Sequence, residues 1–257
     1  MSAGPLSGRG IVITRPREHA PGLAERIRAA GGEPILFPTI EILPPNDPAV
    51  VTKVIARLER FQIAIFVSPT AALRGCAMVR ASRTWPAGLR LAAVGEGTAS
   101  ALREEGFDAV MSPAGESDSE ALAALPELQD LHGRSVVIFR GEGGREWLRG
   151  ALEDRGARVE YAECYRRARP QSDPRRLLAS WQSGGVEAVS ITSSEGLANL
   201  FAMLGPTGGG YLRATPVFVP HPRIEAAARA LEVRKIVVTG RGDARTVAEM
   251  AAFFARV

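Results

Sequence analysis

The stretch Gly8-Arg-Gly-Ile-Val-Ile-Thr-Arg15 sets the organisation of the chain, because a close copy, Gly133-Arg-Ser-Val-Val-Ile-Phe-Arg140, returns at an offset of 125 residues. The match continues without a gap as far as Pro45, which falls on Pro170. Self-similarity at a fixed offset is the signature of a repeated structural unit. We therefore infer an internal duplication that gives two related units.

Short apolar runs, rich in Val and Ile, are predicted to be β-strands. They are continuous rather than alternating, as expected of strands buried on both faces of a parallel sheet. The predicted strands lie near residues 10–14, 34–37, 62–67, 90–94, 109–111, 135–139, 158–162, 187–191, 216–219 and 235–238.

Apolar residues recur at helical spacing between these runs. The predicted helices cover residues 23–30, 99–105, 146–155, 196–204 and 224–231, and a further helix follows Ser68. Gly31, Gly106 and Gly156 follow three of them as stop signals. Alternation of strands and helices predicts an α/β fold of two similar, doubly wound parallel-sheet domains.

Two domain divisions are compatible with the sequence. One cut falls between the repeats, near Asp130–Gly133. The other uses two extended, proline-ended stretches at equivalent places in the copies, Pro38–Pro45 and Glu163–Pro170. If the chain crosses over there, residues 1–38 and 171–257 form one domain and 44–163 the other, with 39–43 and 164–170 as linkers. These patterns alone do not choose between the cuts.

Composition narrows the class of protein. The chain has 257 residues, 46% of them hydrophobic and 23% charged, which excludes a disordered or fibrous protein. Its apolar runs are far shorter than the ~20 residues of a membrane helix, and its N-terminus lacks a secretory signal pattern. Two cysteines and three histidines argue against a disulfide framework or a metal centre. We expect a soluble, cytoplasmic protein that needs no metal and does not bind membranes.

The charge favours an anionic ligand. The net charge is +4, and lysine occurs only at Lys53 and Lys235, so nearly every cation is arginine. Arginine pairs well with carboxylates and phosphates, although a GC-rich genome also produces this bias. Apart from one modest cluster near residues 166–176 the arginines are scattered, which argues against nucleic-acid binding.

The turns that follow the predicted strands are rich in small and hydroxyl-bearing residues. Ligands of open α/β sheets bind at this edge, where helix N-termini present free N–H groups. Any single turn is equally explained as a helix cap, but together the turns suit a ligand with many anionic groups. The candidate binding residues are Arg15, Ser68, Gly97, Thr98, Arg140, Gly141, Ser193, Ser194 and Arg223.

Common catalytic motifs are missing from the sequence. Gly95–Ser100 is only a partial dinucleotide-binding motif, and neither a Walker A motif nor a serine nucleophile elbow occurs. Cys76 is predicted to fill the core. Tyr165 is one of three tyrosines. It is either an aromatic residue between the domains with its hydroxyl in water, or a hydrogen-bond donor that faces the cleft between them. The second interpretation is possible because a phenol stays protonated at neutral pH.

Five segments taken together resemble the bacterial uroporphyrinogen-III synthase family of haem biosynthesis. They are Ile65–Ala71, Ala93–Ala99, Ile138–Arg145, Ala162–Arg166 and Phe218–Ile224, and the resemblance extends from Gly8 to Phe254. It implies the crossed-over domain division, with the two linkers paired as a short β-ribbon hinge. It also implies a cofactor-free lyase that closes on hydroxymethylbilane, a linear tetrapyrrole bearing eight carboxylates. Loss of the terminal hydroxyl as water, inversion of ring D and ring closure then give uroporphyrinogen III.

The resemblance also suggests roles for individual residues. Tyr165 matches the tyrosine that assists departure of the hydroxyl, and Ser68, Thr98 and Ser193 match the hydroxyl positions that hold carboxylates. Arg15 and Arg140 are added here because they are equivalent in the repeat. Pro220–Arg223 departs from its counterpart Gly95–Thr98, so there only Arg223 is expected to supply positive charge.

Further expectations concern partners and rival functions. We expect a monomer that receives its substrate by transient hand-over from hydroxymethylbilane synthase. Two other functions stay open at this point: a non-enzymatic two-lobed protein that binds an anionic metabolite, and a nucleotide-dependent α/β enzyme.

Overall fold

Two units make up the chain in the computed structural model, which describes residues 4–115 and 118–256. Unit 1 takes in the chain up to Glu41 and again from Ala168 onward, and unit 2 runs from Ile42 to Arg167. Both boundaries fall inside the two extended, proline-ended stretches, so the chain passes between the units twice. The assignment of 39–43 and 164–170 as a hinge stays a prediction.

The strands and helices alternate along most of the chain. The strands are β1 (Gly10–Ile13), β2 (Glu33–Leu36), β3 (Glu41–Leu43), β4 (Ile63–Phe66), β5 (Arg90–Ala93), β6 (Val110–Met111), β7 (Ser135–Gly141), β8 (Arg158–Ala168), β9 (Ala188–Ser190), β10 (Val217–Val219) and β11 (Ile236–Val238). The α-helices are α1 (Pro21–Ala29), α2 (Pro48–Ile55), α3 (Pro69–Ser82), α4 (Glu96–Glu104), α5 (Ser119–Ala123), α6 (Trp147–Glu153), α7 (Arg175–Gln182), α8 (Ser194–Ala214), α9 (Pro222–Ala230) and α10 (Asp243–Phe254). Short 3-10 turns cover Arg17–His19, Leu58–Arg60 and Pro126–Leu128.

Each unit contains one sheet. The order in unit 1 is β11-β10-β9-β1-β2, and the second sheet has the order β3-β8-β7-β4-β5-β6. All neighbouring strands of the first sheet pair in parallel. In the second sheet the neighbours among β4, β5, β6, β7 and β8 also pair in parallel. When strands that are equivalent in the sequence repeat are matched, the two orders coincide, which supports the inferred duplication.

Continuous apolar strands arise because both faces of each sheet are covered. In β7, Val137 and Phe139 belong to one core with α2, α3 and α4, whereas Val136 and Ile138 belong to a second core with α5 and α6. Unit 1 is built the same way, with α7, α8 and α9 on one face and α1 and α10 on the other. Every position of such a strand is buried, so the polar-apolar alternation of a one-sided sheet is lost.

The α/β fold predicted from the sequence is confirmed. Each predicted strand is present within a residue or two of its expected bounds, except that β8 runs on to Ala168. The predicted helix stops are also present, since Gly31, Gly106 and Gly156 all adopt positive φ angles. The hydrophobic patterns missed β3 and the helices α2, α5, α7 and α10. The short ribbon between the two linkers that the resemblance implies is matched by β3, which lies beside β8 in the second sheet. In α8 the predicted end at Leu204 precedes a kink at Gly205 (φ 65°), beyond which the helix resumes.

No helix within residues 4–115 and 118–256 combines the length and the apolar character that crossing a bilayer requires.

Candidate active site

The strand order places a crevice at one point in each sheet. In unit 2 the chain winds in opposite directions from the neighbouring strands β4 and β7, and in unit 1 it does so from β1 and β9. Such switch points, at the carboxyl ends of the strands, are where open α/β sheets bind ligands. In unit 2 the switch point carries Ser68 after β4 and Arg140 and Gly141 at the end of β7.

A β-bulge determines the direction in which Tyr165 points. Along β8, Ala162 and Cys164 face the core formed with α3 and α4, while Val159 and Tyr161 face the opposite core. Strict alternation would turn Tyr165 toward the side of Tyr161. The pairing of β7 with β8 slips by one residue, from Arg140 opposite Glu163 to Gly141 opposite Tyr165. A slip of one residue reverses the facing of a side chain, so Tyr165 joins the α3 side.

Gly141 makes room for the Tyr165 ring. A Cβ atom at position 141 would lie 2.7 Å from both Cε2 and Cζ of Tyr165 and 3.2 Å from its hydroxyl oxygen. Non-bonded carbon atoms in folded proteins essentially never lie as close as 2.7 Å. Glycine is therefore required here by the close approach of the ring, and Tyr165 itself is 5% exposed.

The hydroxyl of Tyr165 lies 3.1 Å from Oγ of Ser68. Ser68 is the N-cap of α3, and its Oγ accepts a hydrogen bond from the backbone N–H of Ala71 at 3.0 Å. A serine hydroxyl has one hydrogen and two lone pairs. With one lone pair used by Ala71, Ser68 is still able to donate its hydrogen to Tyr165.

A cavity of about 210 Å³ opens beside this pair. It brings together four of the predicted site residues: Ser68, Arg140, Gly141 and Tyr165. The other lining residues come from the end of β4, from β7 and the loop after it, from α6, from β8 and from the start of α5: Val67, Ser119, Ile138, Gly143, Gly144, Arg145, Leu148, Tyr161 and Arg167. A pocket that encloses a whole drug-sized ligand measures about 300–1,000 Å³. This cavity therefore suits one ring of a larger molecule.

Arg140 is buried beneath the cavity and bonds to protein acceptors through all three nitrogens. Nε donates to the carbonyl of Gly141 at 3.2 Å, Nη1 donates to Glu146 at 3.0 Å, and Nη2 donates to the carbonyl of Gly143. The guanidinium also lies 4.4 Å from the centre of the Tyr161 ring. The sequence predicts that Arg140 binds substrate directly. The contacts of its guanidinium favour a role in holding the loop instead.

The candidate residues of unit 1 also follow strand ends. Ser193 caps α8 by accepting a hydrogen bond from the N–H of Gly196 at 2.9 Å, and Ser194 is the first residue of that helix. Arg15 is ion-paired with Asp243 at 2.9 Å, and its Nε is buried with no hydrogen-bond partner among the residues described. Arg223 is exposed at the start of α9, which His221 caps through Nδ1.

Gly97 and Thr98 are not among the residues that line this cavity. Both belong to the first turn of α4. Gly97 is exposed, and the nearest atom to a Cβ built there is Cγ of Pro69, at 4.0 Å. Thr98 is only 3% exposed.

The two cysteines are buried thiols. Cys76 lies in the core on α3, as predicted, and Cys164 lies in the bulge of β8. Burial raises the pKa of each thiol to about 12. Both therefore remain protonated near neutral pH, and neither is an activated nucleophile.

We expect native protein at pH 8 to resist a thiol-specific chromogenic reagent, because neither sulfur is exposed or ionised. Addition of denaturant should release both thiols for reaction. Rapid labelling of the native protein, measured by absorbance against the denatured sample, would contradict the burial described here.

The sequence analysis did not single out Glu146 or Tyr161. Oε2 of Glu146 accepts a hydrogen bond from the Tyr161 hydroxyl at 2.6 Å, while its Oε1 accepts from Arg140. The sequence did hold one signal for this pair: Tyr161 is a second tyrosine on the strand of Tyr165, four residues before it.

Comparison with known proteins supplies the family. The model of the family described as "Uroporphyrinogen-III synthase HemD" matches residues 22–245. The chain belongs to the uroporphyrinogen-III synthase family. A uroporphyrinogen-III synthase of Salmonella typhimurium is 36% identical over 195 residues, covering 75% of this chain and 79% of the relative. That of Escherichia coli K12 is 32% identical, covering 76% and 79%.

Solved structures show the same fold. A mutant uroporphyrinogen III synthase from Thermus thermophilus superposes with a TM-score of 0.61 at 17% identity, covering 97% of this chain and 100% of that one. The Helicobacter pylori uroporphyrinogen-III synthetase gives 0.58 at 13% identity, covering 95% and 99%. The resemblance stated from the sequence is confirmed. Members of the uroporphyrinogen-III synthase family are cyclising lyases of haem biosynthesis that act on hydroxymethylbilane.

Proposed function

We propose that this uroporphyrinogen-III synthase family member uses the Tyr165 hydroxyl to assist loss of the terminal hydroxyl of hydroxymethylbilane. The observation that carries the proposal is the Tyr165–Ser68 pair. A bulge and an obligatory glycine aim the phenol, and a capped serine lies at hydrogen-bond distance from it beside a ring-sized cavity.

The chemistry is a C–O cleavage followed by the C–C bond exchange that inverts ring D and closes the macrocycle. The C–O bond breaks with its electron pair passing to oxygen, and a hydrogen bond from Tyr165 stabilises the developing negative charge. The pyrrole nitrogen donates electrons to the carbon left behind, which gives an azafulvene cation. The α-carbon of ring D that already carries the chain attacks this cation, and the bond from that carbon to the neighbouring methylene then breaks, which leaves a second azafulvene cation on the rest of the bilane. The other, unsubstituted α-carbon of ring D bonds to this methylene, so ring D is inverted. The proton lost from that carbon restores aromaticity and balances the departed hydroxide as water. The chain's main contribution is then to hold the geometry.

Ser68 orients the phenol in this proposal. If the Ser68 hydroxyl donates to Tyr165, the phenol hydrogen is left to point at the substrate, and the chain of hydrogen bonds from Ala71 strengthens it. We expect Ser68→Ala to lower kcat about tenfold because this orientation is lost, as measured by steady-state kinetics. It should also cost about 1 kcal/mol of stability through loss of the helix cap.

Asp47→Ala is the matched control for Ser68→Ala. Asp47 caps α2 by accepting a hydrogen bond from the N–H of Ala49 at 3.0 Å. Its replacement removes a cap in the same unit without touching the cavity. Equal losses of kcat in the two variants would mean that Ser68 acts only on helix stability.

The remaining candidates are proposed ligands for the carboxylates of the bilane. They are Arg15, Gly97, Thr98, Gly141, Ser193, Ser194 and Arg223. For Ser193, Ser194 and Arg223 the support is their position at helix starts that follow parallel strands. The monomeric state, the transient hand-over from hydroxymethylbilane synthase and the cytoplasmic setting stay predictions.

A turnover experiment tests the proposed function. Protein is mixed with a large molar excess of freshly generated hydroxymethylbilane, and the oxidised products are separated chromatographically into isomers I and III. We expect isomer III in many-fold excess over protein. Isomer I alone, or isomer III limited to one equivalent of protein, would instead favour a binding protein.

A further inference from the structure

A closed set of contacts surrounds the loop that follows β7. Arg140 lies beneath the loop, and its guanidinium bonds to the carbonyls of Gly141 and Gly143. Glu146, at the far end of the loop, is bonded to Arg140 at 3.0 Å and to the Tyr161 hydroxyl at 2.6 Å. The Tyr161 ring in turn lies over Arg140. These three side chains connect both ends of the loop to the neighbouring strand β8.

The loop presents unpaired backbone donors at the cavity. The N–H of Glu142 is bonded to the Tyr165 carbonyl at 2.8 Å. The next three N–H groups, of Gly143, Gly144 and Arg145, have no hydrogen-bond partner in the described part of the chain, and all three residues line the cavity. Gly143 and Gly144 have φ angles of 70° and 108°. Successive N–H groups in a turn of this kind form a concave site for an anion.

Arg140 also fixes the shape of the loop at Gly144. A Cβ atom at position 144 would lie 2.9 Å from Nη2 of Arg140. The backbone therefore runs directly against the guanidinium, which holds the loop carbonyls. Arg140 engages the carbonyls of Gly141 and Gly143 from beneath, while the N–H groups of Gly143, Gly144 and Arg145 stay available to a ligand.

We propose that Arg140, Glu146 and Tyr161 are positioning residues that hold the loop of residues 141–145 so that its free N–H groups bind one carboxylate of the pyrrole held beside Tyr165. This inference rests on the proposed function, because the carboxylate belongs to hydroxymethylbilane. None of the three side chains needs to touch the reacting atoms.

The charges around Glu146 keep it ionised. The hydrogen bond from Tyr161 is the largest cause that holds the pKa of Glu146 below its usual value, and Arg140 and Arg149 act in the same direction. A second carboxylate, that of Glu163, lies 3.8 Å from Arg140. Burial, and next the Glu146 bond, raise the pKa of Tyr161 to about 12. Glu146 therefore stays a carboxylate at pH values below the ordinary pKa of a glutamate. Its bonds to Arg140 and Tyr161 weaken only as the pH falls through the lowered pKa.

Two variants test the inference by kinetics. Glu146→Gln removes the charge that faces Arg140, and Tyr161→Phe removes the hydroxyl while keeping the ring over the guanidinium. We expect each to raise KM about tenfold with kcat within threefold, because the loop binds a carboxylate that does not react. The double variant should lose less than the product of the two single effects, since both act on the same set of contacts around Glu146.

Glu153→Gln is the matched control. Glu153 lies at the end of α6, the helix that Glu146 precedes, and its carboxylate pairs with Arg149 at 2.8 Å. Its replacement by Gln therefore also removes an ion pair with an arginine. We expect its KM to equal that of the wild type. If Glu146→Gln and Tyr161→Phe also show wild-type KM while wild-type protein forms isomer III, the inference is overturned and the proposed function stands. If wild-type protein forms no isomer III, the proposed function fails instead.

A titration gives a readout independent of turnover. Carbon-detected NMR of the Glu146 carboxyl should show its pKa rising toward the ordinary value in Tyr161→Phe. The amide signals of Gly143 and Gly144 should shift in the same variant. An unchanged Glu146 pKa would overturn the inferred coupling, whatever the kinetics show.

Discussion

Replacement of Tyr165 by Phe is expected to lower kcat about a hundredfold while KM changes less than threefold. The phenol acts on a leaving group whose charge develops only in the transition state, so its loss should reduce kcat and kcat/KM together. Groups that assist proton movement or stabilise a leaving oxygen contribute about 10²–10⁴-fold. The lower end applies here because the pyrroles of the substrate stabilise the cation. Steady-state kinetics with separation of the isomers measure the effect.

The fold should tolerate Tyr165→Phe. Only the hydrogen bond with Ser68 is lost, which costs about 1 kcal/mol. Tyr211→Phe is the matched control, because Tyr211 lies on α8 in the other unit, where its ring stacks near Trp181. Undiminished kcat in Tyr165→Phe, or an equal loss in Tyr211→Phe, would rule out the role assigned to Tyr165.

Replacement of Gly141 by Ala is expected to lower kcat at least as much as loss of the Tyr165 hydroxyl. The added Cβ would lie 2.7 Å from the Tyr165 ring, which is almost fully buried and must shift with its hydroxyl. A displacement of about 1 Å at a catalytic group is enough for a hundredfold loss. Overpacking also costs about 1–3 kcal/mol, so the thermal midpoint of unfolding should fall. Kinetics and thermal melting of the same preparation measure both effects.

Gly150→Ala is the control for Gly141→Ala. Gly150 lies in α6, and a Cβ atom there would have nothing within 4 Å. Alanine is favoured over glycine within a helix by about 1 kcal/mol, so the control should be slightly more stable and fully active. If Gly141→Ala retained wild-type kcat, the close packing of Tyr165 against residue 141 would have no part in catalysis.

The sequence predicts most of this fold because its main signals are local. Continuous apolar runs such as Ile63–Phe66 mark strands buried on both faces, and Gly31, Gly106 and Gly156 mark helix ends that need positive φ angles. Helix α5, with five residues, is too short for helical periodicity to appear. The motif segments were sufficient to indicate the family.

The arrangement around Tyr165 depends on contacts between distant residues, which no local pattern records. The bulge opposite Gly141 has no sequence signature, yet it reverses the direction in which Tyr165 points. Arg140 was chosen as a ligand because it repeats Arg15, but burial against Tyr161 and Glu146 commits its donors to the protein. Repeat equivalence thus identified a residue that lines the cavity, whereas its contacts with the loop after β7 became visible only in the structure.

A single-turnover experiment with Tyr165→Phe tests the central claim most directly, because it separates the rate of hydroxyl loss from the geometry of closure. The variant is held in excess over hydroxymethylbilane, so that all of the substrate is bound, and the isomers are followed with time. We predict slow formation of isomer III, because the rest of the site still holds ring D in place. Formation of isomer III at the wild-type rate, or of isomer I in its place, would contradict the assignment of hydroxyl departure to Tyr165.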